Sequence, residues 1–274
     1  MVETTRKHER IPQKEFSGLK ASIQHLLPKP VEILIPRKSF SAKEPDLLIH
    51  FLGASFVVEN ATEDYHGRLV AAVVNLGSGS KVFNDAFEDS SIFMSLIDSI
   101  KAATESVLHR TIRFRKVILS SFSAGYGAIR RIMTPRKNYD KVDAVLLLDG
   151  IHASYIPERK PIAEGGILDS AHLELFLKLA KDASQKRSRK QFMITHSEIF
   201  PGTFVSTTEA TSHILQNLGI ERTPVLRWGP LGMQQLSEAK RNHFVVMGFA
   251  GNSAPDHVDH LNALSHFLKF LAKL

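Results

Sequence analysis

A chain of 274 residues, 43% hydrophobic, with 16 glycines and 12 prolines, is long enough for one large domain with a buried core and too mixed for a low-complexity or fibrous polymer. It contains no cysteine, which removes disulfides, thiolate catalysis and cysteine-based zinc sites together. The formal net charge of +7 comes from basic residues scattered along the chain, so composition alone gives no nucleic-acid-binding face.

The opening MVETTRKHERIPQKEF is charged throughout and no apolar core follows it, so no signal peptide is expected; no apolar run approaches the roughly eighteen residues a membrane helix needs. The compartment stays open. Val31-Glu32-Ile33-Leu34-Ile35-Pro36 reads as a short strand ended by proline, 46–52 (DLLIHFL) as a second and 69–76 (LVAAVVNL) as a third. The last two are apolar nearly throughout, as strands covered on both faces should be. Between 90 and 108, Ile92, Phe93, Leu96, Ile97, Ile100 and Ala103 recur at three- and four-residue spacing, which marks an amphipathic helix opened by Asp89-Ser90-Ser91. A strand over 116–120 then meets small residues, and a helix runs from Ala124 to about Met133, where Pro135 stops it.

The alternation continues with a buried strand at 143–148 (DAVLLL) and another at 191–196 (QFMITH). The stretch between them, 150–190, is unusually long and carries a helix near 168–184; it is the candidate lid. The one dense basic run, Lys186-Arg187-Ser188-Arg189-Lys190, falls at its end and is expected to be a solvated connection. A helix at 207–218, a strand at 225–228, a hairpin of 233–236 with 244–249 turning at 240–242, and a final helix from about 255 to 274 complete the chain. Strand–helix alternation on this scale predicts a single α/β domain, a mostly parallel sheet wrapped by helices.

Functional groups of such a sheet gather at the carboxyl ends of its strands. The residues there are Gly53 and Ala54; Ser123, Ala124 and Gly125; Asp149, Gly150 and His152; His196, Ser197 and Glu198; and Asp256, His257, Asp259 and His260. They contain a nucleophile, carboxylates and imidazoles in the chain order Ser, Asp, His.

With Ser121-Phe122-Ser123-Ala124-Gly125 set between an apolar strand and the helix AGYGAIRRI, the chain resembles the α/β-hydrolase family, whose nucleophile elbow is G-x-S-x-G. The central serine takes a strained backbone, so its neighbours two before and two after must be small; Ser121 stands where the family prefers glycine. The resemblance implies an α/β-hydrolase fold over 1–274 and a serine nucleophile at Ser123. It also implies an oxyanion hole from the N–H groups of Leu52, in Ile49-His50-Phe51-Leu52-Gly53, and of Ala124. The acid is Asp149, which abuts its strand, or Glu198, one strand later; Asp149 is preferred. The base is His257 or His260, three apart, with His257 chosen because it lies nearer the loop.

Asp256, His257, Asp259 and His260 also have the residue types of a metal site, but the hydrolase reading uses one histidine and needs neither metal nor organic cofactor. Tyr126, His152 and His196 are candidate substrate contacts. The expected activity is hydrolysis of a carboxylic ester through an acyl-enzyme, on a small polar or carbohydrate-linked ester, with no nucleic acid and no membrane span involved. A serine peptidase or amidase, or a non-catalytic protein that keeps the fold, would carry the same motifs. Oligomeric state is open.

Overall fold

The computed structural model describes residues 11–274, so most of the charged opening segment, residues 1–10, lies outside the described residues. β1 (Leu19–Ile23) and β2 (Val31–Ile35) form an antiparallel pair. β3 (Asp46–Phe51), α1 (Ser55–Asp64), β4 (Leu69–Val74), α2 (Ser80–Asp85) and α3 (Ile92–Leu108) follow. Next come β5 (Val117–Phe122), α4 (Tyr126–Met133), α5 (Arg136–Lys141) and β6 (Ala144–Leu148). β7 (Tyr155–Ile156) and β8 (Ile167–Leu168) make a separate two-stranded hairpin. Then follow α6 (Glu174–Ala183), β9 (Gln191–His196), α7 (Thr207–Leu218), β10 (Thr223–Trp228), β11 (Gln234–Arg241), β12 (Phe244–Phe249), α8 (Ala254–Asn262) and α9 (Leu264–Leu271). The ten strands of the main sheet run in the order β1-β2-β4-β3-β5-β6-β9-β12-β11-β10 and are mostly parallel at the centre, as the alternation predicts.

The chain divides into two compact units, and β6 passes from one to the other. The first comprises 11–146 with 264–273. Its strands β3, β4 and β5 pair in parallel and are buried at every position, which is why they read as largely apolar runs rather than alternating ones. α3 lays Phe93, Leu96, Ile97 and Ile100 into this core, the stripe its spacing predicts. The second unit comprises 147–263 with Leu274. There β9 and β12 pair in parallel, while β10, β11 and β12 form an antiparallel meander closed by a two-residue turn at Asn242, where φ is +52°.

Three expectations shift. The hairpin strand expected at 233–236 extends to Arg241, because its polar residues lie on a half-exposed strand beside β12. The final helix is two helices, divided at Ala263. The candidate lid also shrinks: α6 buries Phe176, Leu179, Ala180 and Ala183, and Phe176 stacks on Phe192 of β9 with ring centroids 6.2 Å apart. It is therefore a sheet-flanking helix, and only the segment from 150 to 173, with the β7–β8 hairpin, is an excursion. The run 186–190 is a largely exposed connection between α6 and β9.

The turn from β5 into α4 is defined by the backbone. Ser123 has φ +47°, in the left-handed region that bulkier L residues avoid, and 123–125 form a 3-10 turn that leads directly into α4. A Cβ on Gly125 would stand 2.3 Å from the Phe51 carbonyl oxygen, so the absent side chain is what lets this turn lie against β3. Substituting Gly125→Ala is expected to cost about 3 kcal/mol, read as a lower urea midpoint; an unchanged midpoint would show that β3 can yield.

Candidate active site

Two of the candidate residues face each other within the second unit. Asp149 ends β6 with φ +44°, and its N–H continues the ladder to the Thr195 carbonyl at 2.9 Å. Its carboxylate, 4% exposed, takes the His257 Nδ1 on Oδ2 at 2.7 Å, the Ser197 hydroxyl on Oδ2 at 2.6 Å and the Ser197 N–H on Oδ1 at 3.0 Å. Burial opposes ionisation here, but the neighbouring His260 and His257 rings, with the hydrogen bonds from His257 and Ser197, outweigh it and hold the carboxyl well below the usual carboxylate range. His257 stands in the first turns of α8, half-buried, on a helix whose start is fixed by a Ser253–Asp256 capping box.

The alternatives go elsewhere. Glu198 is exposed, and its N–H donates to the Gly251 carbonyl at 2.8 Å. His260 is fully buried, with Nδ1 2.8 Å from the Thr195 hydroxyl and its ring edge-on to Phe249. Asp256 is spent on the α8 cap. Among the described residues, no group of three or more His, Cys, Asp or Glu side chains is arranged to hold a metal ion.

Ser123 and the proposed oxyanion donors lie in the first unit. The Ala124 N–H is in the first turn of the 3-10 segment, where no intrahelical acceptor exists. Leu52 does not fit the donor role expected of it: although its backbone is left-handed, with φ +67°, its N–H donates to the Val74 carbonyl at 3.1 Å. The Gly53 N–H is likewise taken, by Asn75 Oδ1 at 2.9 Å. The next N–H along is that of Ala54, the exposed residue preceding α1, which donates to no acceptor among the described residues. His50 is fully buried between Ser120 Oγ, 2.7 Å from Nδ1, and the Leu52 carbonyl, 3.2 Å from Nε2, so it braces this loop from beneath.

Of the candidate substrate contacts, His152 is half-buried, with Nδ1 2.9 Å from the Val205 carbonyl and Phe204 edge-on at 4.9 Å; burial lowers its pKa. Tyr126 is 5% exposed on the inner face of α4, which leaves little surface for a ligand. His196 is 4% exposed and engaged within the protein. Its Nε2 accepts from Arg222 at 2.9 Å, so the proton sits on Nδ1, within 3.0 Å of both the Ser197 carbonyl and the Thr208 hydroxyl. Both ring nitrogens are occupied, and the ring lies against Gly248. Ser197 and Ala54 carry no motif that marks them in the sequence beyond their places just after a strand.

No protein-family model and no curated protein matches the sequence. Solved structures do match the fold. An S-formylglutathione hydrolase from Agrobacterium tumefaciens is 11% identical with a TM-score of 0.51, over 95% of this chain and 96% of its own. An esterase from Rhizomucor miehei is 11% identical with a TM-score of 0.54, over 95% and 83%. The feruloyl esterase module from Clostridium thermocellum is 9% identical with a TM-score of 0.53, over 99% and 96%. The chain therefore has the α/β-hydrolase fold; no subfamily is identified. Among the described residues, no helix is long and apolar enough to cross a membrane.

Two stability predictions come from these surroundings. The Ser121 hydroxyl is fully buried and has no hydrogen-bond partner among the described residues, so Ser121→Ala is expected to raise the unfolding free energy by about 1 kcal/mol. A lower thermal midpoint would reveal a partner for that hydroxyl. Burial pushes His50 and His260 down to about 4, and burial together with Arg222 does the same to His196. Unfolded, each imidazole takes its proton near pH 6.5, roughly the free value. The unfolded chain then binds more protons over that interval, so stability should fall as pH drops from about 6.5 to about 4, with loss of the Asp149 carboxylate adding to it at lower pH. Urea midpoints that stay flat between pH 7.5 and 5 would contradict this.

Proposed function

We propose that the protein is a serine hydrolase acting on carboxylic esters, with Ser123 as nucleophile, His257 as general base and Asp149 as the acid that orients it. The observation that carries this reading is the Nδ1–Oδ2 hydrogen bond between His257 and a buried, ionised Asp149. That bond places the proton of the neutral imidazole on Nδ1 and leaves Nε2 as the basic nitrogen, the tautomer a general base requires. The left-handed backbone of Ser123, at the end of a buried strand, supports the nucleophile assignment independently.

In the proposed reaction, Ser123 Oγ attacks the ester carbonyl carbon while its proton passes to His257 Nε2, and the carbonyl oxygen becomes an oxyanion. Asp149 holds the resulting imidazolium by charge and orientation. The N–H groups of Ala124 and Ala54 stabilise the oxyanion; Ala54 takes the place expected of Leu52 because its N–H is uncommitted. The C–O bond to the leaving alcohol breaks as the alcohol takes the proton from His257. Water, deprotonated by the same nitrogen, then releases the acid and restores the hydroxyl of Ser123. A short or carbohydrate-linked acyl ester is the proposed substrate class.

A fluorophosphonate probe should label the wild type and leave Ser123→Ala unlabelled; equal labelling of both removes the nucleophile assignment. On short-chain aryl esters, Asp149→Asn is expected to lower kcat by about four orders of magnitude, with Glu198→Gln within about threefold of wild type. Comparable losses in the two variants would overturn the choice of acid. Faster turnover of aminoacyl anilides than of esters would move the activity to peptide or amide bonds.

A further inference from the structure

The residue that follows β9 contacts the Asp149 carboxylate at both oxygens. Ser197 is 2% exposed; its N–H donates to Oδ1 at 3.0 Å and its hydroxyl to Oδ2 at 2.6 Å. Two donors of one residue, one on each oxygen of the carboxylate, form a clamp against rotation about the Cβ–Cγ bond. Oδ2 also accepts from His257, so the angle at which the carboxyl plane is held fixes where the imidazole Nδ1 must sit.

Ser197 is itself held from behind. Its carbonyl lies 3.0 Å from His196 Nδ1 and accepts from the Thr208 hydroxyl at 2.9 Å. Its Oγ accepts the Ile199 N–H at 3.4 Å, which orients the hydroxyl proton toward Asp149. Arg222 can only donate; its bond to His196 Nε2 keeps the His196 proton on Nδ1, facing Ser197, and Arg222 is steadied in turn by the Thr211 hydroxyl at 2.6 Å. A continuous path of hydrogen bonds therefore runs from the Arg222 guanidinium through His196 and Ser197 to the carboxylate that His257 shares.

We infer that Ser197, backed by His196, Thr208 and Arg222, is the positioning residue that locks the Asp149 carboxylate plane so that Oδ2 presents to His257. This rests on the reading of Asp149 and His257 as acid and base. It gives the buried His196 and the half-buried Arg222 a role in the site without contact to the substrate.

In the full chain, Ser197→Ala is expected to slow ester turnover and fluorophosphonate labelling about 10- to 100-fold, with KM within about twofold, because misplacing a supporting group by about an ångström costs on that order. The same substitution made on Asp149→Asn should cost less than about twofold, since no carboxylate remains to be held. Equal fold-losses in the two backgrounds would overturn the proposal. The downfield proton signal of His257 Nδ1–H, identified by its loss in His257→Gln, gives a readout without turnover: Ser197→Ala should shift or broaden it, and an unchanged signal overturns the positioning role. If the wild type fails to label, the nucleophile reading falls while this signal still decides the role of Ser197. Should Ser197→Ala not fold, Thr208→Val, which removes one support of the Ser197 carbonyl, should move the same resonance; no movement there counts against the proposal.

Discussion

A charged carboxylate buried at the end of an apolar strand is the constraint around which the second unit is arranged. An ionised group taken out of water is tolerated only when its lone pairs are satisfied. Asp149 meets that requirement with three donors from two residues, Ser197 and His257. The remaining hydrogen-bonding capacity nearby is organised around neutral groups: His260 against a threonine hydroxyl, His196 between an arginine and a carbonyl. Burial holds those imidazoles toward the uncharged form, while His257 donates to the carboxylate.

The first unit meets a different requirement, that of turning the chain sharply at the end of a strand buried at every position. Its means are conformational. Ser123 turns the chain left-handed, and Gly125 gives up its side chain so the new helix can lie against Phe51. Leu52, also left-handed, is braced by His50 and bonded to Val74, which carries the loop over to Ala54. Strain concentrated at Leu52, Ser123 and Asp149, each placed just after a strand, fits backbone geometry held by its surroundings rather than chosen by local preference.

The central strands were legible because burial on both faces leaves a continuous apolar signature, and α7 matched its expected limits at 207–218 because a Ser206–Glu209 capping box opens it and Gly219 closes it. β1 (LKASI) escaped because an edge strand with mixed exposure has neither a clean run nor a clean alternation, and α1 because its buried Val57, Val58 and Ala61 form too brief a stripe. The chain order Ser, Asp, His could be read, and the preference for His257 over His260 rested on its place nearer the loop alone; their different surroundings could not be read. Two histidines three apart on one helix differ in which neighbours they meet, and that depends on β9 and β6, far off in sequence. The same blindness hid the commitment of the Leu52 N–H to Val74 and the grip of Ser197 on Asp149.

The left-handed turn at Ser123 bears on how little of the sequence this fold prescribes. What the turn demands is a dihedral angle at Ser123 and a missing Cβ at Gly125, and many different side chains can stand around them. Nearly everything around them can differ while the architecture persists: neighbours only 9 to 11% identical share the fold over at least 95% of this chain. The path of the main chain is thus held in common where the residues that build it are not.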